Sequence, residues 1–387
     1  CMIEKKITMQ FLKALEHIEF GAMHVTTPDG KQYSFYGKQP GEHANLYLHD
    51  WRAIRQFASK GDTGFAEAYR DGWWDSDDLA KLFTVGLQNE KALDSYIYGS
   101  IIGRIAARTS YLFTRNTLRG SKKNIHAHYD LGNDFYKLWL DETMTYSAAL
   151  FDAPNQSLEQ AQHNKYDRIL SRLPNSGKLL EVGCGWGGFA ERALLKHDYD
   201  LKGLTISKAQ HDYAQQRVGR NATIALEDYR IQQGKYDNIV SIEMFEAVGE
   251  KYWPTYFSKL QALLTDKGKA IIQTITIKDE YFESYRRGGD MIRTYIFPGG
   301  MLPSFSRFEQ EAGKAGLRIT DSHGFGKDYA LTLQHWLNNF EAKLYDVKNL
   351  GFDNAFIRLW RFYLTCCIAS FNVSRTDVLQ VELRHAT

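Results

Sequence analysis

The segment Glu181-Val182-Gly183-Cys184-Gly185-Trp186-Gly187-Gly188, behind the apolar pair Leu179-Leu180, is the part of the chain best suited to grip a nucleotide-like ligand. A short apolar run ends at a carboxylate, turns through closely spaced glycines and enters a helix-like stretch at Phe189. Glycine at 183 and 185 permits positive φ and lets the backbone approach a ligand. The spacing alone is ambiguous. Gly183, Gly185 and Gly188 satisfy a dinucleotide fingerprint, whereas Gly183, Gly185 and Gly187 behind Glu181 suit S-adenosylmethionine (SAM). A plain tight turn is the bland reading. The next apolar run, Leu201 to Ser207, discriminates between them. An NAD site wants an acid about 20 residues past its glycines for the ribose hydroxyls. None lies between Gly203 and Gln210; Thr205, Ser207 and Gln210 stand there instead. Asp228 then closes the run from Thr223, a suitable place to meet an adenine amino group. SAM is the preferred reading and NAD the minor alternative.

These residues need a scaffold that collects them. From 178 onward, strand-length apolar runs at 178–183, 200–206, 222–227, 236–243 and 268–277 alternate with helix-length segments at 186–196, 207–219 and 253–264. Such alternation predicts an α/β fold with a parallel sheet covered on both faces. Ligands of such sheets bind beyond the carboxyl ends of the strands. Glu181, Thr205, Asp228 and Glu246 all fall at or just past predicted ends, so they are expected to line one crevice. Residues 1–120 read as mostly short helices with a brief strand or hairpin around Ala22 to Gly37, where Pro28-Asp29-Gly30 signals a turn. The aromatic stretch Phe65 to Trp74 reads as core of that smaller region. From about 330 the chain returns to helix, and Trp336, Trp360, Phe362 and Tyr363 read as packing.

Composition sets the outer bounds. With 387 residues the chain can bury one large core and a smaller one. Hydrophobic residues at 43% and charged residues at 24% are ordinary for a globular enzyme. A net charge of +2 excludes whole-chain steering toward nucleic acid. No apolar run reaches the roughly 20 residues that span a bilayer. The start Met2-Ile3-Glu4-Lys5-Lys6 lacks the apolar block of a signal peptide. The four cysteines have no metal-ligand or disulfide-framework spacing, so no metal is expected and a reducing cytoplasm is the default.

One local charge feature stands out. Between 101 and 125 the chain carries Arg104, Arg108, Arg115, Arg119, Lys122 and Lys123 with no acid among them. At about 100° per residue the four arginines fall in one narrow arc, bordered by Ile101, Ile105 and Leu112. A basic stripe beside apolar side chains suits an interfacial helix on anionic lipid, where each cation contributes ~1 kcal/mol. A solvated face paired with acids elsewhere explains it equally well. Nucleic acid is the weaker third reading, since no binding motif accompanies the stripe.

Further segments share one direction: His126-Ala127-His128-Tyr129-Asp130-Leu131-Gly132-Asn133-Asp134-Phe135-Tyr136, Met144-Thr145-Tyr146-Ser147, Ser241-Ile242-Glu243-Met244-Phe245-Glu246-Ala247-Val248-Gly249, Tyr295-Ile296-Phe297-Pro298-Gly299-Gly300 and Asp328-Tyr329. With the glycine loop and Gly203-Leu204-Thr205-Ile206-Ser207, they make the chain closely resemble the cyclopropane-fatty-acyl-phospholipid synthase family. The resemblance is weak before residue 65 and strong from about 124 to 335.

The resemblance implies a Rossmann-like SAM-dependent methyltransferase domain at 121–387 behind a mostly helical, membrane-associated domain at 1–120. It implies methyl transfer to the double bond of an unsaturated phospholipid acyl chain, by an enzyme peripheral to the inner face of the membrane. Relatives suggest a homodimer, though no feature of this sequence demands one. Carried over by position, SAM would meet Tyr129, Tyr146, Ser147, Gly183, Gly185, Thr205, Gln210 and Asp228, with Glu181, Gly187 and Ser207 completing the site. The alkene attacks the SAM methyl, and the resulting carbocation needs shielding from water, aromatic faces and a base for one proton. In the family that base is a bound bicarbonate, whose positions here are Glu246, Tyr329, Gln273, Ile275 and Ala148.

Two of those depart from the family pattern. Its Cys is Ala148, a harmless change where the contact is a backbone N–H. Its His is Gln273, which donates a hydrogen bond but cannot take up a proton near neutrality. Ring closure, a methyl-branched or methylene product, and a weakened enzyme therefore all stay open. So do two other classes of function: methylation of a small soluble nucleophile, and lipid binding without turnover.

Overall fold

The computed structural model describes residues 2–98, 125–127 and 131–387. Tyr129, Arg104, Arg108, Arg115 and Arg119 lie outside the described residues. The chain divides into two compact units, and neither is continuous in sequence.

The first unit comprises Cys1–Tyr129, Ser284–Pro298 and Leu344–Val373. Its sheet joins β1 (Phe20–Thr26), β2 (Gln32–Tyr36), β3 (Gln39–Leu48) and β4 (Trp74–Asp75) in the order β2-β1-β3-β4. The expected hairpin is β1–β2; two further strands make this region less helical than its sequence suggests. The first half of β3 is solvent-exposed, and apolar alternation begins only at Ala44, Leu46 and Leu48. A strand with so little buried surface carries a weak periodic signal. β1 and β3 run parallel and close together at Gly21, where a Cβ would sit 2.2 Å from the Glu42 carbonyl oxygen. The core explains the discontinuity. Phe65 stacks on Trp74 at 4.1 Å, and Phe83 meets Phe362 of the helix Asn354–Asn372 at 4.7 Å. The aromatic stretch 65–74 and the aromatic run 360–363 are thus one packing cluster, as expected of both.

The second unit comprises Asp130–Glu283, Gly299–Lys343 and Ser374–Thr387. A seven-stranded sheet runs in the order β10-β11-β9-β8-β5-β6-β7. Here β5 is Ser176–Val182, β6 Asp198–Thr205, β7 Thr223–Leu226, β8 Tyr236–Ile242, β9 Leu264–Ile277, β10 Leu317–Gly324 and β11 Thr376–His385. β5 to β9 are the five predicted strands, all parallel. β11 lies antiparallel between β9 and β10. The tail was expected to stay helical. β11 is a strand whose buried positions include Gln380 and Glu382, satisfied by tertiary partners that local patterning does not reveal.

On one face, the helices Leu158–Ser171, Gly188–Lys196 and Lys208–Val218 close over a core containing Tyr166, Ile169, Leu179, Phe189, Leu201 and Val240. Strand order reverses direction between β5 and β8, which makes the carboxyl edge there the expected ligand position.

Candidate active site

The apolar run of β5 buries Leu179, Leu180 and Val182 almost completely and delivers Glu181 to the sheet edge at 2% exposure. Gly183 follows at φ +79°, donating its N–H to the Leu204 carbonyl at 3.0 Å. A Cβ there would meet Met244 Cγ at 2.8 Å, so glycine is required for both conformation and space. Gly185 and Gly187 also adopt positive φ, and Gly187 leads into the helix Gly188–Lys196. At the end of β6, Thr205 donates to the Gln210 side-chain oxygen at 3.0 Å and accepts from the Ser207 N–H. Ser207 caps the next helix by accepting from the Gln210 N–H, so its hydroxyl positions Gln210. Asp228, just past β7, forms a two-point ion pair with Arg230, at 3.1 and 2.7 Å, which holds its carboxyl below the usual range.

Because β5 to β8 are parallel, Glu181, Thr205, Asp228 and the acids after β8 share one edge of the sheet. One oxygen of Glu181 is buried with no hydrogen-bond partner, a costly arrangement for a solitary carboxylate. Burial pushes Glu181 up to about 8, opposed by the charge of Lys165. A glycine turn that leaves the backbone open, a paired Thr–Gln and an orphaned acceptor are a donor and acceptor set that fits SAM.

The predicted anion site has a different content. The Ala148 N–H donates to Glu243 at 2.7 Å, Gln273 Nε2 donates to the same oxygen at 2.7 Å, and the Tyr329 hydroxyl donates to the other oxygen. Three groups assigned by resemblance to bicarbonate therefore hold the carboxylate of Glu243. Their donors are already engaged, and the residues present do not fit a free bicarbonate. Glu246 is held separately, accepting from the Ile275 N–H at 2.5 Å and the Thr274 hydroxyl at 3.1 Å. Its Oε2 is buried without a partner.

The two carboxylates divide one charge. Burial pushes Glu246 up to about 8, and the neighbouring charge of Glu243 adds to the rise. Burial also raises Glu243, against the pull of Lys165 and of its three donors. A proton is accordingly favoured on Glu246 and the anion on Glu243. The backbone of Glu243 stands at φ +52°, a left-handed conformation that costs a non-glycine residue about 1–2 kcal/mol. Hydrogen bonds to a charged group contribute about 1.5–3 kcal/mol each, so three donors outweigh that strain.

Lys165 has no exposed surface. It donates to Ser147 Oγ at 2.6 Å and to the Ala148 carbonyl at 3.0 Å, fixing the loop that aims the Ala148 N–H. Burial lowers it to about 7, opposed first by the charge of Glu243. Ser147 is thus engaged by Lys165. Behind Gln273, Gln380 donates to Gln273 Oε1 at 3.1 Å while accepting from Arg168 at 2.8 Å. That chain orients the Gln273 amide so that its nitrogen faces Glu243.

Aromatic rings wall the same region. Tyr146 lies 5.3 to 5.4 Å from Trp139, Tyr136 and Trp336, and Trp336 lies 6.1 Å from Tyr329. Trp336, expected to be packing only, is buried but belongs to this wall. Sequence reasoning passed over Glu243 although its signal was present: a second acid three residues before Glu246, directly after a strand. Lys165 gave none, being one polar residue in a polar helix.

The chain is similar to several known proteins. A family model described as Mycolic acid cyclopropane synthetase matches residues 116–381. The chain is 35% identical over 357 residues to "Tuberculostearic acid methyltransferase UfaA1" of Mycobacterium tuberculosis, covering 88% of this chain and 83% of that protein. It is 34% identical over 336 residues to "Cyclopropane-fatty-acyl-phospholipid synthase" of Escherichia coli, covering 85% and 84%. Among solved structures, mycolic acid cyclopropane synthase CmaA1 complexed with SAH and CTAB superposes with a TM-score of 0.62 at 33% identity, covering 67% of this chain and 96% of that one.

Proposed function

The chain belongs to the mycolic acid cyclopropane synthetase family, and from that premise we propose that it transfers a methyl carbon from SAM to the double bond of an unsaturated acyl chain on a membrane phospholipid, forming a cyclopropane. The observation that carries this reading is the wall of Tyr136, Trp139, Tyr146, Trp336 and Tyr329 beside the Glu243–Glu246 pair. A soluble amine or hydroxyl needs no such wall; a hydrocarbon cation does.

Glu181, Gly183, Gly185, Gly187, Thr205, Gln210, Asp228 and Tyr146 would hold SAM, with Tyr129 joining them on the family resemblance. Bound SAM supplies a methyl on a sulfonium, electrophilic enough for the π electrons of an alkene to attack. The aromatic faces then favour the cation left on the acyl chain, by ~0.5–2 kcal/mol per well-placed ring. They also keep water from it. The carboxylate pair takes the proton whose loss ends the reaction, a positioned-base effect of roughly 10²–10⁴-fold.

No helix among the described residues is long and apolar enough to cross a membrane. We assign membrane contact to the stripe of Arg104, Arg108, Arg115 and Arg119, an acid-free basic run in the sequence that supports a peripheral enzyme on the cytoplasmic face.

The similarity to a tuberculostearic acid methyltransferase supports a methyl-branched or methylene product instead, and one experiment separates the outcomes. Unsaturated phospholipid vesicles are incubated with SAM bearing a fully deuterated methyl, and the fatty acids are weighed and chromatographed. A ring keeps two deuteriums and co-elutes with a cyclopropane standard. A methylene keeps two and does not co-elute, and proton loss from the chain keeps three. Unmodified lipid beside turnover on a small amine overturns the assignment.

A further inference from the structure

We propose that the side chain of Glu243 is a built-in replacement for the bound bicarbonate of the wider family, so that this enzyme carries its own base and works without a dissolved anion. The inference rests on the lipid methyl-transfer reading above and names the group that completes it.

Three observations converge. The Ala148 N–H, the Gln273 amide and the Tyr329 hydroxyl, which the family resemblance assigns to an exogenous anion, all donate to this one carboxylate. The Gln273 departure acquires a reason, because a side-chain amide oriented by Gln380 presents an N–H to a permanent carboxylate without competing for its proton. Lastly, Glu243 is kept at φ +52°, where glycine would sit without strain. The backbone there is attached directly to the sheet, with the Glu243 N–H donating to the Gln273 carbonyl at 2.7 Å.

The step balances without any further reactant. Once the methyl has joined one alkene carbon, the other carries the positive charge. A C–H bond of that methyl breaks, its electron pair closes the ring onto the cationic carbon, and the proton passes to Glu243. Where the pair instead forms an exocyclic double bond after a hydride shift along the chain, the proton has the same destination.

Three proteins are compared on vesicles with labelled SAM, in buffer stripped of carbon dioxide and again with added bicarbonate: the unaltered enzyme, Glu243→Gln and Glu243→Gly. The unaltered enzyme should run equally fast in both buffers. Glu243→Gln keeps the shape but not the charge and should lose about a hundredfold or more in rate, with SAM affinity and melting temperature retained. Glu243→Gly relieves the backbone and opens the anion's place; it should be inactive when stripped and regain at least tenfold on bicarbonate addition. The proposal is overturned if the unaltered enzyme needs bicarbonate, if Glu243→Gln stays within threefold of it, or if Glu243→Gly is active when stripped or is not rescued. A failure of the parent reading looks different: the unaltered enzyme binds SAM yet modifies no lipid in either buffer.

Discussion

Tyr329 donates its hydroxyl hydrogen bond to Glu243, three residues before the acid with which family resemblance groups it. Glu246 takes its hydrogen bonds from Ile275 and Thr274 instead. One predicted anion site is thus two adjoining carboxylate sites with separate donors and unequal affinities for a proton.

Removing the phenol leaves Glu243 with two of its three donors and no new charge. Tyr329→Phe is expected to lower kcat by about ten- to a hundredfold, in line with about 1.5–3 kcal/mol for a hydrogen bond to a charged group. KM for lipid and Kd for SAM should change little. Steady-state kinetics with calorimetric SAM titration check this, and a change confined to KM argues against it.

Glu246 should respond to pH in a defined direction. Its carboxyl is raised from 4.5 to about 8 in the folded protein by burial and by Glu243, with Lys165, Tyr329 and the Thr274–Ile275 donors as the other groups of the cluster. Between those values the folded state keeps a proton that the unfolded chain releases, so stability from this group is full below 4.5 and is lost as pH rises toward 8. Glu246→Gln mimics the protonated form and removes the effect. Urea unfolding from pH 5.5 to 7.5 should show the unaltered enzyme losing on the order of 1 kcal/mol per pH unit relative to the variant. At neutral pH Glu246→Gln should also retain far more activity than Glu243→Gln.

Lys165 offers a test of loop positioning. Lys165→Met removes the donor to Ser147 and to the Ala148 carbonyl while keeping the hydrophobic bulk. We expect a loss of roughly 3–5 kcal/mol in stability, because Glu243 and Glu181 lose a buried counter-charge. The alkaline limb of the kcat profile should shift. Differential scanning calorimetry and a pH–rate series read the two effects separately.

The basic stripe is testable without the chemistry. Changing Arg104, Arg108, Arg115 and Arg119 together to Gln should weaken binding to anionic vesicles at low salt by at least tenfold, since each cation contributes ~1 kcal/mol at such a surface. Turnover of the same lipid in neutral detergent micelles should hold. Unchanged vesicle sedimentation would show that another surface meets the membrane.

The amino-acid sequence by itself determined the α/β alternation, the five parallel strands, the glycine turn after Glu181 and the family. Each depends on periodicity or on residues adjacent in the chain. It also contained Glu243, as the first acid of a pair spaced by three after an apolar strand. What it could not decide was which carboxylate the scattered donors would reach. Ala148 and Tyr329 lie 95 and 86 residues from Glu243, and Gln273 lies 30 away. Their meeting depends on the β8–β9 register, on the helix Gly326–Ala342 and on the loop pinned by Lys165. The strands β10 and β11 and the cluster joining Phe65 to Phe362 were hidden for the same reason. Their polar or aromatic residues are satisfied only by partners distant in sequence, and only the folded chain brings those partners within reach.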